Sequence, residues 1–235
     1  MPSNAPRPRD PRSLYFRGLP EGWEEDRALV TRTQRERMLD AMARAVAAKG
    51  YAKLTVSDVV ALAGVSRRTF YEHFADKEEC FLESYAAGAQ AIIAEVAGAV
   101  RRANPTDWHE RVRIGMEAYT RLLAANPDLA RALLVDVLGA GPRAVELRRN
   151  VFHSFVDLYR PAPSSDRPAD VAMRQVPEPF LMALVGGISE LVQEHIVDRG
   201  AESLEELTPT LVELAFSIVD VGARLGERPR AAIAS

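Results

Sequence analysis

Residues 54–79 read LTVSDVVALAGVSRRTFYEHFADKEE and contain the signals of two short helices. Thr55 and Asp58 have the spacing of a capping box, so a helix is predicted to begin here. Gly64 ends that helix after about two turns, and Ser66 can cap a second short helix. Two short helices joined by a tight turn that contains glycine are typical of a helix-turn-helix motif.

The segments on both sides of this motif also have helical patterns. Before it, apolar side chains recur at three- and four-residue spacing, as in an amphipathic helix. These side chains are Met38, Leu39, Met42, Ala45 and Val46. After it, helices are predicted at 77–102, 107–125, from 126, 142–160, 177–199 and 203–226, the last with a capping box at Ser203 and Glu206. Because no segment alternates as a strand does, the sequence predicts an all-α fold.

The composition is that of a soluble globular protein, with 47% hydrophobic and 27% charged residues in a chain of 235. No run of eighteen apolar residues predicts a membrane span, and the N-terminus lacks the apolar core of a signal peptide. The single cysteine, Cys80, cannot form a disulfide within the chain, which fits a reducing compartment. The predicted location is the cytoplasm.

The net charge of −3 is unevenly distributed along the chain. Residues 1–75 contain thirteen Lys/Arg and nine Asp/Glu, a balance of +4. Residues 76–235 contain the other seventeen Lys/Arg and twenty-four Asp/Glu, a balance of −7. A basic N-terminal part on an acidic remainder favours an anionic partner for the N-terminal part.

The second short helix of the motif has an apolar and a polar face. Its apolar face, with Val65, Phe70 and Phe74, is expected to pack against the first helix and against Leu54, Val59 and Leu62. Five donor-rich side chains remain on the outside, namely Arg67, Arg68, Thr69, Tyr71 and His73.

This outward face has the chemistry of a DNA-reading helix. An α-helix fits the major groove, where arginine pairs bidentately with guanine. Thr69, Tyr71 and His73 can reach phosphate oxygens, and Lys77 adds its charge to the N-terminus of the next helix. An isolated pair of arginines would more often be a solvated surface. Here the short capped helices and the turn glycine favour DNA binding.

The stretch from Gln34 to Tyr85 resembles the DNA-binding domain of the TetR family of transcriptional regulators. The residues that carry this resemblance are T-V-x-x-V, A-G-V-S, T-F-Y-x-H-F and D-K-E, which occur in this order at the family's spacing. The resemblance implies a repressor that an effector releases from DNA, with no enzymatic activity and no cofactor.

The resemblance also implies roles for individual residues. Thr55 and Ser57 would approach phosphate, while Arg67 and Arg68 would lie at the base-reading start of the recognition helix. The remaining positions that the resemblance implies as DNA contacts are Ser66, Thr69, Tyr71, His73 and Lys77. Many members have glycine or proline at the position of Arg68, so this arginine could add either a base contact or a phosphate contact. Glu72 could accept from a cytosine amino group or restrain an arginine.

Three parts of the chain are expected. Residues 1–30 form a mobile Pro/Arg-rich arm with a lead-in helix, and residues 31–80 form the DNA-binding domain. Residues 81–228 form a helical ligand-binding and dimerisation domain. The arm's RPRDPR segment either enters a minor groove or is a solvated tail.

The last two predicted helices, 177–199 and 203–226, carry more apolar surface than one monomer needs. Gly186 and Gly187 would allow helices to approach closely. The resemblance implies that this helix pair forms a four-helix bundle with a second copy, which then binds a palindromic DNA operator. The alternative is that both helices are buried core helices.

A ligand pocket is expected among the helices between residues 85 and 160, and its apolar character predicts a hydrophobic or amphipathic effector. Its candidate lining residues are Trp108, Met116, Tyr119, Leu123, Phe152, Phe155 and Tyr159. Each of these side chains could equally belong to an ordinary core.

Other functions have weaker support in the sequence. The G-A-G at 139–141 resembles a dinucleotide-binding turn, but helical spacing precedes it and no second βαβ unit follows. The four histidines lack metal-ligand spacing, so no metal site is predicted. The alternative function that stays open is a helical small-molecule-binding protein or enzyme without a DNA-binding role.

Overall fold

The computed structural model describes residues 27–160 and 173–226, and every regular element in this part is helical. The predicted all-α fold is therefore confirmed. The α-helices are α1 Arg27–Lys49, α2 Val56–Ala63, α3 Arg67–His73, α4 Lys77–Ala103, α5 Trp108–Ala124, α6 Pro127–Leu134, α7 Pro142–Tyr159, α8 Glu178–Arg199 and α9 Thr208–Gly226. The RPRDPR arm lies outside the described residues.

Local hydrogen bonds explain where the short helices begin. The Thr55 hydroxyl accepts from the backbone N–H of Asp58, whose carboxylate accepts from the N–H of Thr55 at 3.0 Å. The Ser66 hydroxyl accepts from the N–H of Thr69 at 3.0 Å and caps α3. Asp76 caps α4 through the N–H of Glu79 at 2.8 Å. These caps satisfy N–H groups that have no partner inside their helix.

The core of the N-terminal domain is formed by the predicted apolar stripe of α1, by Phe70 of α3 and by Phe74, which directly follows α3. Met38, Met42, Val46 and Phe70 have no exposed surface. Leu62 was expected in this core, but 41% of its surface is exposed. It lies on the outer side of α2, because the buried side of this helix is already occupied by Val59, Val60 and Ala63.

Helix α4 connects the N-terminal domain to the larger helical domain without a break. Its 27 residues run across position 80, where the sequence placed the domain boundary. Near its start, the Ser84 hydroxyl donates to the carbonyl of Leu39 in α1 at 2.7 Å. Arg143 at the start of α7 pairs with Glu78 of α4 at 3.1 Å. Since α1 also packs against α6, the two domains share a packed junction.

Two segments differ in detail from the helices that the sequence predicts. Residues Ala201–Leu207 form a 3₁₀-helix, and the α-helix begins only at Thr208. The Ser203 hydroxyl donates to the carbonyl of Gly200 and lies 2.9 Å from His195 Nε2, so it holds this turn rather than capping an α-helix. The G-A-G segment is a helix–helix turn, as expected, because Gly141 with φ 100° leads directly into α7.

Helix α8 is long and apolar enough to cross a membrane by length and composition alone. In the fold it packs between α7 and α9. Leu181, Leu184 and Val192 in this helix have no exposed surface. Part of its apolar surface is therefore used for packing within the chain.

Candidate nucleic-acid interface and ligand cavity

The turn between α2 and α3 is fixed by a backbone conformation and by one arginine. Gly64 has φ 64°, a left-handed conformation that a residue without a Cβ adopts readily. The guanidinium of Arg37 in α1 donates to the carbonyl of Ala63 and, at 3.3 Å, to that of Gly64. It therefore satisfies carbonyls at the end of α2 and holds α3 at a set angle to α1.

Helix α3 presents the predicted polar face to solvent. Ser66, Arg67, Arg68 and Tyr71 are exposed, as is Ser57 on α2. Thr69 and His73 are partly buried, and the Thr69 hydroxyl lies 2.9 Å from that of Ser66. The structure thus leaves most of the predicted polar side chains of α3, together with Ser57 of α2, exposed on the N-terminal domain.

The two arginines of α3 differ in their neighbours. Arg68 Nε donates to Glu72 Oε1 at 3.0 Å, one turn further along the same helix. The Arg68 side chain is 90% exposed, so this pair contributes little to stability and mainly orients the guanidinium. Glu72 therefore restrains Arg68, which is one of the two roles that the sequence predicts for it.

His73 is the last residue of α3 and lies near Arg35 of α1. Burial lowers the pKa of its imidazole, the nearby positive charge of Arg35 lowers it further, and Glu72 acts against this change. Arg35 also pairs with Glu83 of α4 and lies over the ring of Phe74, 5.4 Å from its centroid. At neutral pH, His73 is therefore a neutral hydrogen-bonding group rather than a cation.

Lys77 occupies a more structural position than the sequence suggested. Its ammonium donates to the backbone carbonyls of Tyr51 and Leu54, both at 3.0 Å. It also lies 4.3 Å from the centroid of the Tyr51 ring. The side chain thus joins the start of α4 to the turn between α1 and α2. An ammonium has three donors, so one is left for a phosphate oxygen.

The start of α2 carries a charged network. Lys49 at the end of α1 forms an ion pair with Asp58, which also accepts from the Thr55 hydroxyl at 2.8 Å. The hydrogen bond from Lys49, followed by those from Thr55, lowers the pKa of the Asp58 carboxyl to about 2. The carboxylate is therefore ionised throughout the physiological range and keeps Thr55 in its capping geometry.

A cavity of about 100 Å³ lies inside the larger domain, between α4, α5, α6, α7 and α8. This volume approaches that of engineered protein cavities, roughly 150 Å³, that bind benzene. Most of its lining is aliphatic or aromatic, and Arg111 and Ser189 are among the polar residues that border it. Of the predicted lining residues, those that border it are Met116, Tyr119, Phe152, Phe155 and Tyr159.

Two predicted pocket residues lie elsewhere. Trp108 packs at the start of α5 against the ring of Phe216 in α9, with centroids 5.3 Å apart in an edge-to-face arrangement. Leu123 is fully buried near the end of α5 and does not border the cavity. Helix α5 faces several neighbouring helices, so helical spacing could not show which of its apolar residues face the cavity.

Helices α8 and α9 leave apolar side chains exposed. Val197 is 59% exposed, Val221 48% and Leu225 41%. A Cβ added to Gly186 would meet no atom within 4 Å, whereas one added to Gly187 would meet Leu214 of α9 at 3.6 Å. Gly187 therefore lies beside α9 within the chain, and Gly186 faces open space.

The described part of the chain contains no cluster of His, Cys, Asp or Glu side chains able to hold a metal ion. Cys80 is buried, and burial raises the pKa of its thiol, which makes it an unreactive packing residue.

Residues 38–84 match the model of a family described as bacterial regulatory proteins, tetR family. The matched segment contains the capped α2, the Gly64 turn and the exposed face of α3. This match covers about a fifth of the chain and falls within its N-terminal domain. Proteins of this family are transcriptional regulators and not enzymes. No curated protein has a significantly similar sequence.

Solved structures of tetR-family regulators resemble the whole fold. The fatty acid degradation regulator FadR from Bacillus halodurans has a TM-score of 0.64 at 17% identity, covering 78% of this chain and 97% of its own. FadR from Bacillus subtilis, in complex with stearoyl-CoA, has a TM-score of 0.59 at 16% sequence identity. The match covers 76% of this chain and 95% of that FadR chain. A TetR-family transcriptional regulator from Syntrophomonas wolfei has a TM-score of 0.62 at 19% sequence identity. The match covers 80% of this chain and 95% of that chain. At these identities the similarity establishes the fold.

Sequence reasoning missed several residues of both sites. Arg37 lies on α1, where only the apolar stripe was considered, although its partners are carbonyls of a distant turn. The sequence predicts Tyr85 at the end of the DNA-binding motif and Ser189 within a dimerisation helix. Both border the cavity, because α4 and α8 each contribute to two parts of the fold.

Proposed function

We propose that this chain is a homodimeric, cytoplasmic repressor that binds a palindromic DNA operator and leaves it when a small hydrophobic effector binds. The observation that carries the proposal is the exposed surface of α3. Arg67 and Arg68 are exposed there on a short helix whose angle is fixed by Gly64 and Arg37. An α-helix with arginines at its N-terminal end fits the major groove and pairs with guanine.

The neighbouring side chains support this placement by their suitability for phosphate contacts. Thr55 and Ser57 are exposed at the start of α2, and Ser66, Thr69 and Tyr71 surround the two arginines. Hydroxyl groups are common donors to phosphate oxygens, and such contacts position a helix without reading sequence. His73, being neutral, would add a hydrogen bond, and Lys77 a third donor beyond its two backbone partners.

A second copy is the proposed partner of the exposed apolar residues of α8 and α9. One recognition helix reads a half-site, and two-fold symmetry doubles the readout on a palindrome. Val197, Val221 and Leu225 are exposed enough to be covered by a partner. The open space at Gly186 would allow a neighbouring helix to approach closely.

The cavity is the proposed effector site. Helix α4 begins at Lys77 in the DNA-binding region and borders the cavity with Tyr85 and, farther along, Val100. A ligand that shifts this helix would therefore move the recognition helix, which gives the two sites a physical connection. Because FadR from B. subtilis binds stearoyl-CoA, acyl compounds belong in the first effector screen.

The proposal is tested by selecting bound sequences from a random duplex DNA pool at moderate salt. We expect a two-fold palindrome to be enriched, and Arg67→Ala protein to lose preference at defined positions within it. The selected duplex then serves to screen for effectors that lower affinity.

Absence of any enriched sequence, with folded and dimeric protein and with acyl compounds present, would contradict the DNA-binding role. The alternative, a helical small-molecule-binding protein or enzyme without DNA binding, would then be preferred. A steep dependence of binding on salt supports the repressor, since phosphate contacts release counterions.

A further inference from the structure

Three tyrosines from three different helices border the cavity. They are Tyr85 of α4, Tyr119 of α5 and Tyr159 of α7. Tyr85 is 5% exposed and Tyr119 is 8% exposed. Within residues 27–160 and 173–226, none of these three hydroxyls has a hydrogen-bond partner. Three phenols on a mostly apolar cavity lining distinguish this site from an ordinary apolar core.

Burial raises the pKa of all three phenols. Burial raises the pKa of Tyr85 to about 12, against the opposing charge of Arg148. Burial also raises the pKa of Tyr119, and the Tyr85 phenol adds to the rise. For Tyr159, burial is again the main cause, and Tyr119 adds to it. All three groups are therefore protonated at neutral pH and can act as hydrogen-bond donors.

A fourth hydroxyl lies on the same cavity. Arg148 Nη2 donates to the Ser189 hydroxyl oxygen at 3.2 Å, which leaves the Ser189 proton as a donor. The guanidinium of Arg148 lies over the ring of Phe152, 4.2 Å from its centroid. The positive charge of Arg148 is thus stabilised by the face of the Phe152 ring and by the Ser189 oxygen.

We propose that these hydroxyls select an effector with an uncharged carbonyl oxygen on an apolar body, such as a ketone, an ester or a thioester. The inference rests on the proposed ligand-responsive function and names the chemical class that the cavity accepts. A hydrocarbon would leave the donors without partners, which costs free energy in a site removed from water. Arg111, the charged side chain that borders the cavity, already has an interaction partner, so a carboxylate would bring a further charge into a mostly apolar lining.

The test uses a matched pair of small probes on the full chain. Acetophenone and cumene have nearly the same shape, but only acetophenone has a carbonyl oxygen. Dissociation constants are measured by ligand-observed NMR titration for wild type, Tyr85→Phe, Tyr119→Phe and Tyr159→Phe. Each change removes one oxygen and keeps the ring, and circular dichroism checks the fold. Tyr51→Phe, in the turn between α1 and α2, is the matched control outside the cavity.

We expect Tyr119→Phe or Tyr85→Phe to weaken acetophenone binding about three- to tenfold, the range for loss of one neutral hydrogen bond. Cumene should bind the variants as well as wild type or more tightly. Tyr51→Phe should leave both constants unchanged.

Three results would overturn the inference, and they separate it from the proposed function. If cavity variants change both probes alike, or neither, the hydroxyls do not select a carbonyl, although the cavity still binds ligands. Tighter binding of benzoate than of acetophenone would replace the neutral class with an anionic one. If neither probe binds wild type, the cavity is not a ligand site, and the effector part of the proposed function fails as well.

Discussion

The proposed DNA-binding surface depends on a few side chains whose chemistry differs even where they are neighbours in sequence. Arg67 and Arg68 are both exposed, but only Arg68 has an ion-pair partner on α3, at Glu72. Arg67 has no such restraint in the described part of the chain and is the better candidate for direct base pairing.

Replacing Arg67 with alanine should reduce discrimination at one or two base pairs by about 1–3 kcal/mol each, because a bidentate contact to guanine is lost. Competition binding against single-position variants of the selected operator measures this. Arg44→Ala, an exposed arginine of α1 outside the motif, is the control and should leave the preferences unchanged. Uniform weakening across all operator variants would reassign Arg67 to a phosphate contact.

Asp58 should make the free energy of unfolding depend on pH in the acid range. Its pKa is about 2 in the folded protein and roughly 3.9 in an unfolded chain, so the carboxylate stabilises the fold above about pH 4. This contribution is lost as the pH falls through the folded value. Urea unfolding of wild type and Asp58→Asn should therefore differ at pH 7 and converge as the pH falls from 4 towards 2.

The partner of Asp58 provides the control. In a Lys49→Met background the Asp58→Asn effect should be smaller at pH 7, because the ion pair is already absent. A difference between wild type and Asp58→Asn that stays constant with pH would contradict the assignment.

At the scale of elements, the position of α3 depends on the turn that precedes it. Gly64 has φ 64°, and a Cβ added there would lie 2.7 Å from the Arg37 guanidinium. Gly50, at the end of α1, has φ 73° with no atom within 4 Å of an added Cβ. The two glycines thus share a backbone conformation and differ in their surroundings.

Gly50→Ala should cost about 1 kcal/mol of unfolding free energy, the strain of a left-handed alanine. Gly64→Ala should cost more, because the same strain is joined by displacement of Arg37 from the carbonyls of α2. Chemical denaturation of both variants makes the comparison. Equal losses would show that Arg37 moves aside freely and does not hold the turn.

The start of α4 is joined to the α1–α2 turn by Lys77. Lys77→Met should lower the unfolding free energy by about 1–2 kcal/mol, since two carbonyl acceptors lose a charged donor. It should also weaken binding to all DNA sequences about evenly and reduce the salt slope by about 1 if its third donor reaches a phosphate. Lys53→Met, an exposed lysine in the same turn, should leave stability unchanged.

The readouts separate the two roles of Lys77. Lost stability with an unchanged salt slope would leave only the structural role. A reduced salt slope with wild-type stability would leave only the phosphate contact.

At the scale of the whole molecule, the proposed dimer uses apolar side chains of α8 and α9. Val221→Asp should raise the dimer dissociation constant at least about tenfold, because a charge would be buried in the interface. Val145→Asp, at a valine of α7 that is 54% exposed, is the matched control and should leave it unchanged. Sedimentation equilibrium measures both, and equal effects would place the interface elsewhere.

The N-terminal domain could be predicted almost completely because its determinants are local. Thr55 with Asp58, Ser66 with Thr69 and the Gly64 turn each act within a few residues, so spacing alone identifies them. Leu62, Arg37 and Lys77 are exceptions. The packing of α2 against α1 decides that Leu62 remains outside, and the partners of Arg37 and Lys77 are backbone carbonyls far away in sequence.

The larger domain could be predicted only as a set of helices. Most of its helices are apolar on more than one side, because they pack against several neighbours, and periodicity cannot assign a face to such a helix. The sequence therefore predicts that Trp108 and Leu123 line a cavity that they do not border. It gives no sign that Tyr85 and Ser189 border this cavity.

The helix starts, the glycine turn and the outward arginines of α3 could thus be predicted from the sequence, because hydrogen bonds between near neighbours and helical periodicity set them. The cavity with its three tyrosines, the attachment of Arg37 to the turn, and the link from Lys77 to the carbonyls of Tyr51 and Leu54 became visible only in the folded chain. These features join residues from different helices, and their relative positions follow from how the whole core packs.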